Sequence, residues 1–289
     1  MSHATPKLGV VIPDDKALRA ARADDPVDLV VLRATLLNPP RAAGAARLAE
    51  RLREVHPRAA IVPYVWHLVS HGPSDGLRGL GTRTLPGEPR RYGLLQDTDE
   101  VRQAWEITRQ CAEQLGAREV LLRTPASFTP SAANRERLRA FVTARAAEGL
   151  KVVWEAEGLW EPAQTLAIAR EFDLRTVIPA FDGAGRPLKA GHGRVERRWL
   201  RVDGAGPTTR LRAALAESLA VAVEDSGPED GVAILFAGPR GYANLRAYAA
   251  QVDELGFDVE DDADEGAEDD ADDDDADDAD GADADDALA

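Results

Sequence analysis

The sequence predicts a single α/β domain, a (β/α)8 barrel, on three observations. Short runs of β-branched and aliphatic residues alternate strictly with longer helical patterns, which is typical of a parallel α/β fold. Eight such runs and about seven helical patterns can be distinguished, the number that closes a barrel. The chain has 289 residues, of which 44% are hydrophobic. This is enough for one barrel of about 250 residues without a second domain.

The predicted strands are separated by helical patterns or by segments rich in Pro and Gly. In chain order they are Lys7 to Ile12, Leu29 to Thr35, Ile61 to His67, Glu119 to Thr124, Lys151 to Glu155 or Glu157, Leu174 to Pro179, Arg198 to Val202, and Val232 to Phe236. The count of eight is the main argument for closure. If the first or the sixth run is not a strand, an open doubly wound sheet is the alternative, and an unpaired edge strand would contradict the barrel.

The ends of the helices have local signals. Thr98 is a predicted N-cap, and Gly116 supplies a left-handed residue that ends the same helix. Thr129 followed by Pro130 predicts the next helix start, with a cap and a proline at the first helical position. After the first strand, a short helix is predicted over Asp14 to Ala23.

Two segments depart from the regular alternation. A long loop after strand 3, Leu68 to Gln96, is rich in Gly, Pro and Arg, and loops of this length are usually functional or mobile. After strand 6, the segment Phe181 to Glu196 contains too many glycines for a regular helix, so an irregular connection is expected.

The charge is concentrated at the C-terminus. The net charge is −16, but residues 258–289 hold 19 of the 51 acidic residues and no basic ones. We expect a barrel over residues 1–257 and a disordered acidic tail over residues 258–289. The tail either keeps the protein soluble or docks on a basic protein partner. The rest of the chain has 35 basic against 32 acidic residues, which gives no support for a broad nucleic-acid-binding surface.

The composition also indicates a compartment. No apolar run reaches the roughly 18 residues that a membrane span needs, and the first residues lack the pattern of a signal peptide. Cys111 is the only cysteine, which excludes an intrachain disulfide and suits a reducing compartment. The expectation is a cytoplasmic protein with a packed thiol at Cys111.

Charged residues end four of the predicted strands. In a barrel, the carboxyl ends of the strands form the active-site face. Burying an unpaired charge there is expensive, so these side chains must pair with one another or meet a ligand. They form either a structural ring of salt bridges or a cationic pocket for a phosphate or carboxylate, with Glu155 as a base or as a clamp for an arginine. The four residues are Arg33, Arg123, Glu155 and Arg201.

The histidines give a weaker signal. His67 and His71 flank the end of the third strand and Asp203 follows the seventh, a set that could bind a divalent metal. No HxH or HxxE spacing supports such a site, and we predict no metal. His71 alone is a candidate acid or base, because the ordinary histidine pKa is near 6.5. No Gly-rich phosphate loop and no GxSxG elbow is present, so no cofactor is predicted.

Several motifs resemble the YecE-like family, also called domain of unknown function 72 (DUF72). The residues that carry the resemblance are Thr35 with Asn38-Pro39-Pro40; the segment Trp66 to Arg78, WHLVSHGPSDGLR; Thr124-Pro125-Ala126-Ser127-Phe128; Trp154-Glu155 with Gly158 and Trp160; and, more loosely, Trp199-Leu200-Arg201 with Gly204, and Phe236. The resemblance implies a TIM-like barrel. Trp66, which opens the family-like loop, and Asp203, which ends the seventh strand, are further candidate ligand-binding residues. The family offers no settled reaction.

The chain departs from the family pattern where polar residues would do chemistry. Of those polar residues, only His71, Glu155 and Arg201 remain, which implies a divergent member with an altered or lost activity. The departures are Val31 and Arg33 in place of a carboxylate and an amide, Tyr64 in place of a Lys, Arg123 in place of a Gln, Asp203 in place of a His, and Ala237 with Gly238 in place of paired Asn.

Two functions remain open from the sequence. The first is a divergent hydrolase or phosphoester-type enzyme, with Glu155 and His71 as catalytic groups and an anionic ligand held by Arg33, Arg123 and Arg201. The second is a non-catalytic binding or scaffold barrel whose long loop and acidic tail meet a protein partner. The second function predicts that the arginines pair with internal carboxylates.

Overall fold

The computed structural model describes residues 5–77, 79–182, 184–187, 198–203, 210–225 and 232–256. Within these ranges the chain forms eight strands and seven α-helices. The strands are β1 (Lys7–Ile12), β2 (Leu29–Leu32), β3 (Ala60–Pro63), β4 (Glu119–Thr124), β5 (Lys151–Ala156), β6 (Arg175–Pro179), β7 (Arg198–Val202) and β8 (Ala233–Phe236). The helices are α1 (Ala42–Val55), α2 (His67–Ser70), α3 (Asp99–Leu115), α4 (Ala132–Ala147), α5 (Pro162–Glu171), α6 (Ala213–Glu224) and α7 (Gly241–Leu255).

The eight strands form a parallel sheet that curls into a nearly closed barrel. The order is β3-β2-β1-β8-β7-β6-β5-β4, and each neighbouring pair in that order is a parallel ladder. The remaining junction, between β3 and β4, is an isolated parallel bridge between Tyr64 and Leu121. The Val65 amide also donates to the Leu121 carbonyl at 2.9 Å. The predicted barrel is therefore confirmed, with a thin seam between β3 and β4.

Proline explains the thin seam. The amides of Ala60 and Tyr64 donate toward the β2 side, to Asp28 and Leu32. Because alternate residues of a strand point their amides to opposite neighbours, Pro63 faces β4, where it has no N–H to donate. The junction with β4 therefore loses one ladder bond at Pro63 and resumes at Val65.

Side chains that alternate along the strands fill the barrel interior. Val11, Val31, Val153 and Trp199 belong to one buried cluster inside the barrel. Gly9 allows close packing there, because an added Cβ would lie 2.7 Å from Leu235 Cδ2. The intervening residues face outward and pack under the helices in two further clusters.

Helix caps match the sequence signals in one case and differ in another. The Thr98 hydroxyl accepts the Val101 amide at 3.2 Å, and Gly116 ends α3 with φ of 68°. The predicted cap at Thr129 is wrong. Ser131 is the N-cap of α4, because its hydroxyl accepts the Asn134 amide at 3.2 Å.

Two predicted strands are shorter in the structure. β2 ends at Leu32 because residues Arg33–Leu36 form a 3-10 turn, in which the Thr35 hydroxyl donates to the carbonyls of Leu32 and Tyr64 at 2.8 and 2.9 Å. β3 ends at Pro63, and the predicted end of that strand begins the short helix α2.

Three connections depart from the regular alternation of strands and helices. After β1, where a short helix over Asp14 to Ala23 was predicted, Asp15–Ala20 form a 3-10 helix. The long segment after β3 contains α2 and a 3-10 turn at Pro89–Arg91. After β6, Phe181 and Pro187 form an antiparallel bridge, while residues 188–197 and the acidic tail lie outside the described residues. No helix in the described ranges is long and apolar enough to cross a membrane.

Candidate functional site

Charged side chains meet at the carboxyl end of the barrel. We call this group the mouth network; its members are Tyr64, Arg123, Glu155, Glu157, Arg201 and Asp203. The group is placed by strand register, because Arg123 of β4 lies beside Glu155 of β5. Glu155 follows the inward-facing Val153 by two residues, so its side chain also faces the barrel interior. Arg201 likewise follows the inward-facing Trp199 by two residues, so its side chain also faces the barrel interior.

Glu155 is the buried centre of the mouth network, with 9% of its surface exposed. The Tyr64 hydroxyl donates to Glu155 Oε2 at 2.8 Å. Arg201 Nη1 donates to Glu155 Oε1. Arg123 Nε lies 3.9 Å from the same oxygen. Both carboxylate oxygens therefore accept hydrogen bonds, and Glu155 clamps Arg201.

Each arginine also has an outer carboxylate partner. Arg123 Nε donates to Glu157 Oε1 at 2.8 Å, and Nη2 contacts the same oxygen. Arg201 Nε donates to Asp203 Oδ1 at 2.9 Å. The side chains of Glu157 and Asp203 are 36% and 60% exposed. The network is thus layered, with the buried Glu155 below the arginines and the half-buried Glu157 and the exposed Asp203 above them.

The electrostatic environment fixes the charge states in this network. Burial and the neighbouring Glu155 carboxylate raise the pKa of Tyr64 above its usual value, so its hydroxyl keeps the proton that it donates. Burial alone would lower the pKa of Arg201, but the attraction of Glu155, Tyr64 and Asp203 together outweighs it and the pKa is raised. Arg201 is therefore a permanent cation held below the surface.

His71 lies near this network on the segment that follows β3. Its Nδ1 shares a hydrogen bond of 2.8 Å with the Ser70 hydroxyl, and the residue is 5% exposed. Burial lowers the pKa of His71 to about 4, with Asp75 opposing the shift and Arg123 adding to it. The imidazole is therefore neutral at pH 7. It is available as a weak base or as a neutral hydrogen-bonding group.

The structure separates Arg33 and Trp66 from the mouth network. Arg33 begins the 3-10 turn after β2 and is exposed; it makes no ion pair with the part of the chain that the structure describes. Trp66 is fully buried among outward-facing core residues. Its indole N–H donates to the Leu37 carbonyl at 3.0 Å. Their predicted ligand-binding roles stay predictions.

His67, His71 and Asp203, the residues considered for a metal, do not form a metal site in the structure. His67 Nδ1 lies 2.9 Å from the Leu36 carbonyl, and Asp203 pairs with Arg201. Over the described ranges, no group of three or more His, Cys, Asp or Glu residues has a geometry that could hold a metal ion.

Two members of the mouth network were not among the candidate site residues. Glu157 stands two residues after Glu155, so it continues the same side of the strand. Tyr64 stands two residues after Val62, which faces the interior. The period-two alternation could therefore have identified both, once the inward face was known.

Comparison with known proteins agrees with this architecture. No family model and no curated protein matches the chain by sequence. A DUF72 family protein from Enterococcus faecalis V583 superposes with a TM-score of 0.58 and 14% identity, over 92% of this chain and 100% of that one. The chain has the fold of a DUF72 protein. The resemblance inferred from the sequence motifs is thus confirmed at the level of the fold.

Other solved structures share this DUF72-like barrel more distantly. A xylose isomerase domain containing protein from Salmonella typhimurium LT2 has a TM-score of 0.50 and 12% identity, over 88% of this chain and 98% of that one. The catalytic domain of a chitinase from Pyrococcus furiosus has a TM-score of 0.51 and 10% identity, over 88% of this chain and 97% of that one. At these identities the similarity concerns the fold.

Proposed function

We propose that this DUF72-like barrel is a divergent member of the DUF72 family that binds a small anionic molecule at its mouth. The observation that carries the proposal is the layering of the network. Arg123 and Arg201 are held from below by Glu155, and their outer partners, Glu157 and Asp203, are the more exposed carboxylates. A ligand carboxylate or phosphate takes the place of one or both outer partners.

The energetics favour such an exchange. A guanidinium offers five N–H donors in a planar fork that matches a carboxylate or a phosphate. Glu157 and Asp203 return to water when displaced, and the ligand anion takes over their contacts with the arginines, so the exchange leaves neither partner unpaired. Glu155 stays in place because it is buried and also accepts the Tyr64 hydroxyl. The site therefore keeps its cations oriented while their outer partners exchange.

Charge balance limits the affinity. The mouth network holds two arginines and three carboxylates, so an anion must compete with an excess negative charge. Removing the charge of Glu157 or Asp203 should therefore strengthen anion binding. This response distinguishes a ligand site from a structural ring of salt bridges, in which the same substitutions only lower stability.

Binding of inorganic phosphate and of citrate, measured by isothermal titration calorimetry at fixed ionic strength, tests the proposal. Arg123→Ala and Arg201→Ala should each weaken binding about tenfold, because each removes charge-assisted hydrogen bonds. Glu157→Gln should strengthen binding severalfold. Arg135→Ala is the matched control, since Arg135 is an exposed arginine paired with Glu171 at 2.8 Å on the protein surface.

The proposal fails if the two arginine variants bind both anions as the unaltered protein does. It also fails if Glu157→Gln leaves the affinities unchanged while the fold is intact by circular dichroism. Either result would assign the network to stability alone.

The catalytic part of the proposal is hydrolysis of a phosphoester-type substrate. The neutral imidazole of His71 is the candidate acid or base, and Glu155 serves as the clamp that orients Arg201, because both its oxygens are engaged. Turnover of a panel of phosphomonoesters should be lost in His71→Gln with ligand binding retained. Equal turnover in this variant would remove His71 from the mechanism.

A second candidate function is a scaffold barrel that meets a basic protein partner through its acidic tail. The pairing of Arg123 and Arg201 with carboxylates favours it, because that is the arrangement expected of a purely structural mouth. A pulldown with the full chain and with residues 1–257 tests it. Loss of a partner on deleting the tail supports this function, and retention of every partner contradicts it.

A further inference from the structure

A groove lies between the 3-10 helix Asp15–Ala20 and the start of α7, next to the carboxyl ends of β1 and β8. Its volume is about 780 Å³, within the range of about 300 to 1,000 Å³ that small organic ligands occupy in proteins. Val10, Ala17 and Tyr242 form an apolar part of its lining. We call it the α7 groove. None of the mouth network residues lines it.

The groove exists because the connection after β1 is short. A 3-10 helix of six residues occupies the position of the first helix of the barrel, whereas the connections after β2, β3, β4, β5 and β7 carry α-helices of up to 17 residues. The outer face of β1 is therefore covered incompletely, and Val10 contributes to the lining.

Basic side chains contribute to the lining of the groove. Lys16, Arg19 and Arg240 line it and are exposed, and none of the three makes an ion pair with a residue in the described ranges. Arg246 also lines the groove, but it is already paired with Asp25 at 2.9 Å. The remaining cationic charge in the groove is thus carried by three side chains from two separate segments.

One carboxylate, that of Asp14, also lines the groove, and it makes no ion pair with the three cations in the described residues. The Asp14 carboxylate accepts the backbone amides of Lys16 and Ala17 at 2.9 and 3.2 Å, which caps the 3-10 helix. α7 begins after Arg240 without a side-chain cap and with no acidic residue in its first turn. The start of this helix therefore adds partial positive charge to the same opening.

We propose that the α7 groove is a second ligand site, which takes an organic phosphate with an apolar body. The phosphate would lie at the opening between Lys16, Arg19 and Arg240, and the body would lie against Val10, Ala17 and Tyr242. A dianionic phosphate suits a groove lined by three cations better than a single carboxylate does. The volume exceeds what inorganic phosphate alone would fill, which is why the apolar body is part of the assignment.

Three probes separate the parts of this proposal: phenyl phosphate, inorganic phosphate and phenol. Their dissociation constants are measured by NMR titration of the full chain at fixed ionic strength. Phenyl phosphate should bind most tightly, since it fills both parts of the groove. Lys16→Ala and Arg240→Ala should each weaken its binding about tenfold, because each removes a charge-assisted contact. Both are surface substitutions, so the fold is retained.

Two further variants serve as controls. Arg139→Ala removes an exposed arginine of α4 that is paired with Glu136, far along the chain from the groove, and should leave binding unchanged. Ala17→Phe adds a ring inside the groove without changing the charge. It should weaken phenyl phosphate more than inorganic phosphate, because the ring takes the space of the apolar body.

The outcomes also separate this site from the mouth. If phenyl phosphate binding survives Arg201→Ala and falls in Arg240→Ala, the groove site stands whatever the mouth binds. If Arg240→Ala and Lys16→Ala bind phenyl phosphate as the unaltered protein does, the proposal is overturned. Equal affinity for phenol and phenyl phosphate would overturn it as well.

Discussion

Replacing Arg201 by Met removes the cation from the buried centre of the mouth network. Glu155 then keeps the Tyr64 hydroxyl at 2.8 Å, and its nearest other cation is Arg123 Nε at 3.9 Å. The Glu155 side chain is only 11% exposed, so water replaces little of what is lost. Removing one partner of a buried ion pair lowers the free energy of unfolding by about 3 to 5 kcal/mol. Because Glu155 keeps Tyr64 and Arg123 nearby, we expect Arg201→Met to lie near the lower value, about 3 kcal/mol.

The opposite substitution, Glu155→Gln, should cost less. Arg201 keeps Asp203 at 2.9 Å, and the glutamine amide oxygen still accepts the Tyr64 hydroxyl. We expect a loss of about 1 to 2 kcal/mol, the cost of replacing a charged hydrogen bond by a neutral one. In the double variant no unpaired charge is left below the surface, so its loss should fall short of the sum of the single losses by about 2 kcal/mol.

The measurement is urea unfolding of the four proteins, followed by tryptophan fluorescence. Trp154 and Trp199 are buried next to the substituted positions and report on the same region. Equal slopes in urea show that the unfolded states are comparable. Single losses that add to the double loss within about 0.5 kcal/mol would refute the reasoning, because independent residues behave in that way.

Three further predictions follow from other parts of the barrel. Gly9→Ala should lower stability by about 1 to 3 kcal/mol through overpacking against Leu235. Gly44→Ala on α1, where an added Cβ would lie 3.4 Å from Pro40 Cβ, should be neutral or stabilising. Urea unfolding measures the stability of both variants. Burial lowers the pKa of His71 in the folded state to about 4, below the ordinary histidine pKa near 6.5, so the stability that it contributes is complete above pH 6.5 and is lost as pH falls toward 4. An NMR titration gives the pKa, and His71→Gln should remove that part of the pH dependence. Burial raises the pKa of the Cys111 thiol to about 12, so a thiol reagent at pH 8 should label it only after unfolding; prompt labelling of the folded protein would contradict its burial.

The sequence predicted the strands best where apolar runs end at unambiguous residues. The bounds of β1, β4 and β7 agree with the prediction. β2 and β3 were predicted too long because the apolar composition continues past Leu32 and Pro63. Their true ends depend on the Thr35 hydroxyl, which bonds to the carbonyls of Leu32 and Tyr64. Such a contact between two strands is not visible in either one alone.

The site was predicted in part for a similar reason. Period-two alternation and strand ends identify Arg123, Glu155 and Arg201 as candidates at the mouth. The choice of partners depends on strand register and on side-chain reach. Arg123 lies beside Glu155 in the ladder, yet its hydrogen bonds go to Glu157, because Arg201 of β7 already occupies Glu155. Competition among three side chains decides the pairing, and a pairwise argument from the sequence cannot anticipate it.

Two of the departures from the DUF72 pattern, Tyr64 and Arg123, lie next to the same carboxylate, that of Glu155. The resemblance places a Lys where this chain has Tyr64, and a neutral Gln where it has Arg123. Tyr64 is a neutral donor that satisfies Glu155 from β3, so one positive charge is lost there. Arg123 brings one positive charge back from β4, within 3.9 Å of the same carboxylate. The two changes together keep the number of cations around Glu155 while moving one of them to the side of the barrel where the half-buried Glu157 can hold it. The buried Glu155 carboxylate needs a cation beside it both in a structural ring of salt bridges and in a ligand site, because an unpaired buried charge is expensive. Binding of anions to Arg123→Ala, and not the charge balance, is therefore what separates the two functions.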